Sequence, residues 1–248
     1  MRLEGKVAIV TGAAAGFGRG IAELYASEGA QVCVCDLNGD GARTVAAAIG
    51  NAAIAVEADV SKAEDVARMV SDTETAFGGV DIMVNNAGTT HRNRPMLEVT
   101  EDAFDRIFAV NVKALFHAAR EVVPRMEARG GGVIITTAST AGVRPRPGLV
   151  WYNASKGAAI TATKAMAIEL APKKIRVCAI NPVAGDTRML GDFMGEDTPE
   201  KRAQFQAPVP LGRLSQASDI ANAALFLAEP ASNFLTGVCI EVDGGRCI

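Results

Sequence analysis

A tyrosine and a lysine four positions apart are the residues of this sequence best suited to chemistry. Tyr152 and Lys156 belong to the segment YNASK, and on a helix this spacing puts both side chains on one face. A phenol ordinarily has a pKa of about 10, and a neighbouring ammonium favours the phenolate and lowers that pKa. We therefore expect Tyr152 to act as a general acid or base near neutral pH.

Ser139 is a third candidate because of its place at the end of a predicted strand. It closes the apolar run VIITTAS, and parallel α/β sheets bind their ligands at the carboxyl ends of the strands. A hydroxyl at that edge can hydrogen-bond a substrate oxygen and stabilise alkoxide charge as it develops. The three side chains together predict proton transfer to or from an alcohol or carbonyl oxygen.

A glycine-rich turn, TGAAAGFG at 11–18, follows the first predicted strand and opens a helix. Gly12 permits a tight turn, and Gly16 lets the backbone approach a pyrophosphate that the helix N–H groups then hold. The spacing is GxxxGxG and differs from the GxGxxG of the dinucleotide fingerprint. The turn therefore indicates a nucleotide site, and a turn without a ligand is the alternative.

Asp36 predicts which dinucleotide would bind. It ends the second predicted strand, eighteen residues after Gly18, where a carboxylate can accept both ribose hydroxyls of NAD and repel the 2′-phosphate of NADP. Ala15 and Leu37 are uncharged, so these two neighbouring positions offer no arginine to that phosphate. We expect NAD(H), with an exposed turn aspartate as the alternative reading.

The elements that must position these residues alternate between strands and helices. Apolar strands are predicted at 6–11, 31–35, 53–57, 81–84, 132–138, 175–180 and 238–242, and helices near 16–28, 39–49, 62–76, 100–128, 152–171, 199–206 and 216–228. Strands that are apolar throughout fit a parallel sheet buried on both faces. We predict one doubly wound α/β domain of Rossmann type over 1–248, with a seven-stranded parallel sheet flanked by helices, and a substrate lid at 185–213.

The composition excludes several other classes of protein. The chain has 248 residues, 49% hydrophobic and 21% charged, with a net charge of −3, and such a balance gives no support for nucleic-acid binding. No apolar run approaches the roughly 18 residues that span a bilayer. The first residues resemble a strand rather than a signal peptide, and the five cysteines form no CxxC pair. We expect a cytoplasmic protein without a metal or disulfide role for these cysteines.

In their order along the chain, these motifs resemble those of the short-chain dehydrogenase/reductase family, in its single-domain branch. The resemblance covers the whole chain and implies hydride transfer between NAD(H) and a secondary alcohol or ketone. The matching motifs are TGAAAGFG (11–18), Asp59-Val60, NNAG (85–88), Asn111, Ser139, YNASK (152–156), NPVAGDT (181–187) and VDGG (242–245).

The resemblance also implies how the cofactor is held. Asp59 and Val60 would contact the adenine, residues 86–88 the adenosine ribose, and Val183 and Thr187 the nicotinamide carboxamide. Val183 departs from the family pattern, in which glycine often follows the proline. The residues assigned to NAD in this way, or by the arguments above, are Gly12, Gly16, Phe17, Gly18, Asp36, Leu37, Asp59, Val60, Asn86, Ala87, Gly88, Tyr152, Lys156, Val183 and Thr187.

Three loops that the family uses for substrate contact each carry an arginine, namely Arg94, Arg146 and Arg188. An arginine pair can grip a carboxylate, sulfonate or phosphate bidentately, although solvent exposure or structural ion pairs would also account for such residues. The resemblance further implies that Asn111 helps to hold a water that relays protons from Lys156, and that the chain forms a homotetramer.

We therefore expect an NAD-dependent dehydrogenase of a polar or anionic secondary alcohol, such as a sugar or a hydroxy acid. One alternative is a 3-oxoacyl thioester reductase, for which Arg129, Lys173 and Lys174 could form a carrier-protein patch. Asp36 argues against it, because such reductases mostly use NADPH. The other alternative is a nucleotide-binding sensor without turnover, which would have no need of a phenol beside a lysine.

Overall fold

A computed structural model describes residues 1–187 and 189–248 of the chain. Seven strands form one sheet in the order β3-β2-β1-β4-β5-β6-β7, and all neighbouring strands are parallel. The predicted seven-stranded sheet is confirmed, and β7 is an edge strand as expected. The strands are β1 (Val7–Thr11), β2 (Gln31–Asp36), β3 (Ala53–Glu57), β4 (Ile82–Asn85), β5 (Gly132–Thr137), β6 (Ile175–Pro182) and β7 (Cys239–Val242).

Helices cover both faces of the sheet, close to their predicted positions. The stretch predicted as one helix over 100–128 is α4 and α5 joined by a π-helical turn at Ala109–Lys113. The predicted lid contains two short helices, of which α7 was not predicted. The helices are α1 (Gly16–Ser27), α2 (Gly39–Ile49), α3 (Ala63–Phe77), α4 (Glu101–Phe108), α5 (Ala114–Ala128), α6 (Val150–Leu170), α7 (Met189–Met194), α8 (Pro199–Gln206) and α9 (Ala217–Ala228).

Burial on both faces explains why the strands are apolar throughout. Ala8 and Ile9 are neighbours on β1 and point to opposite faces, yet both are fully buried. Ala8 packs into the core with Tyr25 of α1, while Ile9 packs into the second core with Met69 of α3. Fully burying a large aliphatic side chain contributes about 1.5–3 kcal/mol, so both helical layers hold the sheet in place.

The strand order positions the site. β2 lies on one side of β1 and β4 on the other, so the chain reverses its winding direction there, and open α/β sheets bind ligands in the crevice beyond the carboxyl ends of such strands. The turn before α1, the end of β2 and the residues after β4, β5 and β6 meet at this edge. In the part of the chain that the structure describes, no helix is both long and apolar enough to cross a membrane.

Candidate active site

A cavity of about 410 Å³ opens at the carboxyl ends of the strands. It extends from Asp36, at the end of β2, to Tyr152 and Arg146 at the opposite end. The site residues predicted from the sequence that line it are Gly12, Gly16, Phe17, Asp36, Leu37, Asp59, Val60, Asn86, Ala87, Gly88, Ser139, Arg146, Tyr152, Lys156, Val183 and Thr187.

The glycine turn fits the backbone geometry expected for a pyrophosphate cradle. Gly12 has φ +65° and Gly16 has φ +57°, conformations that disfavour a side chain. A Cβ on Gly12 would come within 2.9 Å of the Ala87 Cα. Gly18 plays a different part from the one predicted: it does not line the cavity, and a Cβ there would lie 2.2 Å from the Gly12 carbonyl oxygen, so it allows α1 to pack beneath the turn.

The beginning of α1 also suits an anion. Among the described residues no side chain caps this helix, and its first turn contains no acidic residue. The first N–H groups of a helix lack intrahelical partners and carry the positive end of the helix dipole, which favours a bound phosphate. The residues present therefore fit the pyrophosphate of a dinucleotide.

Asp36 is fixed at the adenosine end of the cavity by two backbone hydrogen bonds. Its Oδ2 accepts the N–H of Ala14 and its Oδ1 accepts the N–H of Asn38, both at 2.9 Å. An ionised carboxylate has about four lone-pair sites, so it can still accept ribose hydroxyls. Asp36 therefore both secures the glycine turn against β2 and presents negative charge to the cavity.

Asn86 joins three strand ends that border the site. Its Nδ2 donates to the carbonyl oxygens of Thr11 (2.9 Å) and Gly12 (3.2 Å), and its Oδ1 accepts the Thr137 hydroxyl at 3.2 Å. Its side chain is thus engaged in holding β1, β4 and β5 together. The predicted contact with the ribose would have to come from its backbone or from its neighbours.

Tyr152 and Lys156 lie one turn apart on α6, beside Ser139, which follows β5. The Lys156 Nζ donates to the Thr137 carbonyl oxygen at 2.9 Å and lies 5.8 Å from the centre of the Tyr152 ring. Both side chains are only 5% exposed. Three groups able to handle a proton or an alkoxide therefore meet at one end of the cavity.

The prediction that the lysine lowers the pKa of the phenol is wrong for the protein without ligands. Burial raises the pKa of Tyr152 to about 12, and the nearby Ser139 side chain only partly offsets this. Burial also lowers the pKa of Lys156 to about 8. Desolvation disfavours the charged form of each group, and it is the largest cause of both shifts. At neutral pH the phenol is protonated, the form that donates a proton.

Asn111 lies behind the cavity wall, within the π-helical turn, and does not line the cavity. Its Oδ1 accepts the N–H of Thr89, and its Nδ2 donates to the Thr89 carbonyl and the Ser155 hydroxyl, all at 2.9–3.0 Å. A Cβ on Gly88 would lie 3.4 Å from the Asn111 Oδ1 and 3.5 Å from the Lys156 Nζ. Asn111 therefore borders the space beside the lysine while its amide holds the loop after β4.

The structure separates the three arginines expected at the substrate end. Arg146 lines the cavity, whereas Arg94 does not, and the backbone N–H of Arg94 donates to the Gly148 carbonyl at 3.1 Å. Arg188 lies outside the described residues. Asp186, which is close to Arg188 in sequence, pairs with Arg202 at 3.1 Å.

Two phenylalanines that the sequence analysis did not identify complete the substrate end of the cavity. Phe193 of α7 packs on Tyr152 with ring centres 5.0 Å apart, and Phe205 of α8 lines the same region. The segment that carries them is tied to the loop after β4, since the Asn93 N–H donates to the Asp192 carbonyl at 2.8 Å. Both phenylalanines lie within the predicted lid, and their apolar character in a polar loop was the available signal.

Comparisons with known proteins agree with this geometry. The family model described as enoyl-(acyl carrier protein) reductase matches residues 12–246. The 4-formylbenzenesulfonate dehydrogenase of Comamonas testosteroni is 49% identical, over 100% of both chains. The sorbitol dehydrogenase of Cereibacter sphaeroides is 38% identical, over 99% of both chains.

Solved structures show the same likeness in three dimensions. The 3-ketoacyl-(acyl-carrier-protein) reductase of Brucella melitensis, crystallised with NADH, superposes with a TM-score of 0.94 at 47% identity, covering 99% of this chain and 100% of that one. The shared sheet, the cradle for NAD(H) and the match over nearly the whole sequence lead to one assignment. The chain is an NAD(H)-dependent oxidoreductase and belongs to the short-chain dehydrogenase/reductase family.

Proposed function

We propose that the enzyme transfers a hydride between NAD(H) and a secondary alcohol or ketone bearing polar or anionic groups, such as a sugar or a hydroxy acid. The observation that carries the proposal is that Tyr152 and Ser139 line the same cavity as Asp36 and the glycine turn. Relatives named for a sulfonate and for sorbitol support a polar or charged substrate.

Residues at the cofactor end are assigned by position. The backbone of Gly12 and Gly16 and the N-terminus of α1 hold the pyrophosphate, and Asp36 accepts hydroxyls of the adenosine ribose. Val183 and Thr187 contact the nicotinamide end, which lies towards Tyr152. When bound, the cofactor supplies the hydride for reduction or accepts it in oxidation.

The proton follows a path through the protein's own side chains. In ketone reduction the Tyr152 phenol gives its proton to the carbonyl oxygen, while the Ser139 hydroxyl donates a hydrogen bond to that oxygen. Lys156 then restores the phenol, and Asn111 positions the water through which solvent protons reach the lysine. In alcohol oxidation the same path runs in reverse.

A 3-oxoacyl thioester reductase is the second candidate, favoured by the 47% identical structure of that name. Its carrier-protein patch has less support. Arg129 lies 3.3 Å from Asp81, and Lys173 lies 2.8 Å from Glu127, so two of the three basic residues are engaged in ion pairs within the chain. Activity on a 3-oxoacyl thioester that exceeds activity on every polar alcohol would favour this candidate.

The homotetramer, the lid and the cytoplasmic location remain predictions. Phe116 on α5 is 55% exposed, Ile168 on α6 is 79% exposed, and β7 is an edge strand. A partner subunit that covers these surfaces would bury apolar groups and protect the strand edge. Light scattering at micromolar concentration should give four chains, and a monomer would contradict the proposal.

The reaction is tested by following NADH absorbance with a panel of ketones, alcohols, sugars and hydroxy acids. We expect turnover of at least one polar secondary alcohol with NAD or of its ketone with NADH. Absence of turnover across the panel, in protein that still binds NADH, would contradict the proposed function.

A further inference from the structure

Arg146 lies at the substrate end of the cavity, and no described residue acts as its counter-ion. Its Cζ lies 4.4 Å from the centre of the Phe205 ring, which fixes the guanidinium plane. In the described part of the chain its Nη2 is buried and has no hydrogen-bond partner. None of the ion pairs among those residues involves Arg146.

A further arginine, which is buried, comes from the carboxyl-terminal tail. Arg246, just after β7, is 6% exposed, and within residues 1–187 and 189–248 its Nε has no partner. Arg144 donates to the Arg246 carbonyl oxygen across 102 residues of sequence. The tail thereby brings its own positive charge to the loop that carries Arg144 and Arg146.

Asp243, the acidic residue of the tail, forms no ion pair with these arginines among the described residues. The Asp243 oxygens accept the backbone N–H groups of Gly245 (2.9 Å) and Cys247 (2.7 Å). The pKa of Arg146 falls to about 10, because burial and then the charges of Arg246 and Arg144 disfavour its protonated form. A partly buried cation with no counter-charge is more favourable when an anion joins it, so Arg146 and Arg246 together are suited to bind an anion.

The space between this group and the catalytic tyrosine is apolar. Phe193 packs on Tyr152, Phe205 packs on Arg146, and Leu149 also lines the cavity. A sugar would leave its hydroxyls facing these rings without partners. A ring-sized apolar body fits the lining better, with its charged and reacting groups at opposite ends.

We infer that Arg146, supported by Arg144 and Arg246, binds the acid group of an amphipathic substrate, a carboxylate or sulfonate on an apolar ring-sized body. The carbonyl or alcohol at the other end of that body then meets Tyr152. This inference rests on the proposed function, because it takes Tyr152 as the reacting end. It narrows the proposed substrates from polar molecules in general to anions that carry their charge on an apolar body.

The first test uses the unmodified enzyme and substrates of matched shape. With NADH, kcat/KM is compared for 4-acetylbenzoate and 4-acetylbenzenesulfonate against the neutral 4-methylacetophenone, with the ketose fructose as the sugar arm. We expect at least a tenfold preference for the anions, equivalent to about 1.4 kcal/mol. Equal or faster reduction of the neutral ketone or the sugar would overturn the inference and leave the proposed function standing.

The second test removes the charge. R146Q should lower kcat/KM for 4-acetylbenzoate at least tenfold and change that for 4-methylacetophenone less than threefold. R246Q should also lower the ratio of kcat/KM for 4-acetylbenzoate to that for 4-methylacetophenone. The factor should be smaller than for R146Q, because Arg246 does not line the cavity. R68Q is the control, since Arg68 is an exposed α3 residue paired with Asp65, and its ratio should match the wild type.

Calorimetry separates binding from turnover. With NAD⁺-saturated protein, which cannot reduce the ketone, 4-acetylbenzoate should bind the wild type and R68Q equally and R146Q at least tenfold more weakly. If this pattern holds but no ketone is reduced, the anion site stands and the proposed reaction fails. If R146Q folds, as judged by its circular dichroism and NADH affinity, and binds the anion as tightly as the wild type, the inference is wrong. If R146Q does not fold, R246Q and the wild-type substrate comparison decide.

Discussion

The two ends of the cavity are built in different ways. At the cofactor end, Gly12 and Gly16 shape the backbone, and Asp36 is held by its neighbours within a few residues of the strand ends. At the substrate end, side chains come from the loop before α6 and from α7 and α8, and the tail after β7 packs against that loop.

This difference separates two kinds of sensitivity. A backbone cradle tolerates few substitutions, because a single Cβ meets other backbone atoms. A wall of side chains can be changed one residue at a time while the sheet stays intact. Cofactor binding and substrate preference should therefore respond to different mutations.

The largest effect on turnover is expected for Tyr152, which lies where the cofactor end and the substrate end of the cavity meet. Y152F removes the transferable proton and keeps the ring that packs on Phe193, so kcat should fall by about 10²–10⁴ while the NADH affinity stays within threefold. Steady-state rates and NADH fluorescence titration measure the two effects. Retention of more than about a tenth of the activity would contradict a role in proton transfer.

The only other tyrosine provides the matched control. Tyr25 is buried in the core and its hydroxyl donates to the Ala224 carbonyl at 2.9 Å. Y25F should therefore cost about 1 kcal/mol of unfolding free energy and leave kcat unchanged. A large loss of activity in Y25F would show that the assay responds to general destabilisation.

The pH dependence of stability tests the burial of Lys156. Its pKa drops from 10.5 to about 8 on folding, so between these values the unfolded chain binds more protons and the free energy of unfolding rises with pH. At about 1.4 kcal/mol per pKa unit, the gain reaches about 3 kcal/mol. Burial raises the pKa values of the cysteine thiols, which lowers stability above about pH 9 in the wild type and in K156M alike. In urea unfolding at pH 7.5, 9 and 10, the slope of unfolding free energy against pH should therefore be more positive in the wild type than in K156M.

Above about pH 10 the tyrosine acts in the opposite direction. Burial raises the pKa of Tyr152 to about 12, so the unfolded chain loses its phenolic proton first and stability falls as the pH rises further. Equal slopes for the wild type and K156M between pH 7.5 and 10 would show that Lys156 is not desolvated in the folded protein.

The glycine cradle gives the next effect. Gly12 and Gly78 both have a positive φ, so alanine strains the backbone at either position, but only at Gly12 would the new Cβ meet Ala87, at 2.9 Å. We expect G12A to weaken NADH binding at least tenfold and to cost about 2 kcal/mol more than G78A, because of overpacking. Thermal unfolding and NADH titration of both variants test this. Equal NADH affinities of G12A and G78A would exclude a close approach of the cofactor to this turn.

The smallest effect concerns the choice of cofactor. The enzyme should prefer NADH to NADPH by roughly tenfold in kcat/KM, equivalent to about 1.4 kcal/mol, and D36N should reduce that preference because its amide no longer repels a 2′-phosphate. D40N is the control: Asp40 is an exposed α2 carboxylate paired with Arg43. An unchanged preference in D36N would remove Asp36 from the explanation.

The two ends of the cavity also differ in how much of them the sequence could predict. The strands, the glycine turn and Asp36 follow from local patterns, so their positions were predicted to within a few residues. Arg246 could not be placed beside Arg144 and Arg146 from sequence, because that contact depends on how the tail folds over a distant loop. The predicted direction of the Tyr152 pKa shift was wrong for a similar reason, because the burial of Tyr152 by α7 is a tertiary effect.

Following the transferred hydride tests the proposed reaction most directly. The enzyme is incubated with NADH deuterated at C4 on the transferred face, identified by using both stereoisomers, and with 4-acetylbenzoate. The carbinol carbon of the product is then examined by NMR. We predict one deuterium on that carbon from one stereoisomer only, at a rate that Y152F lowers by at least 10². Alcohol formed without deuterium from either stereoisomer would contradict hydride transfer at this site.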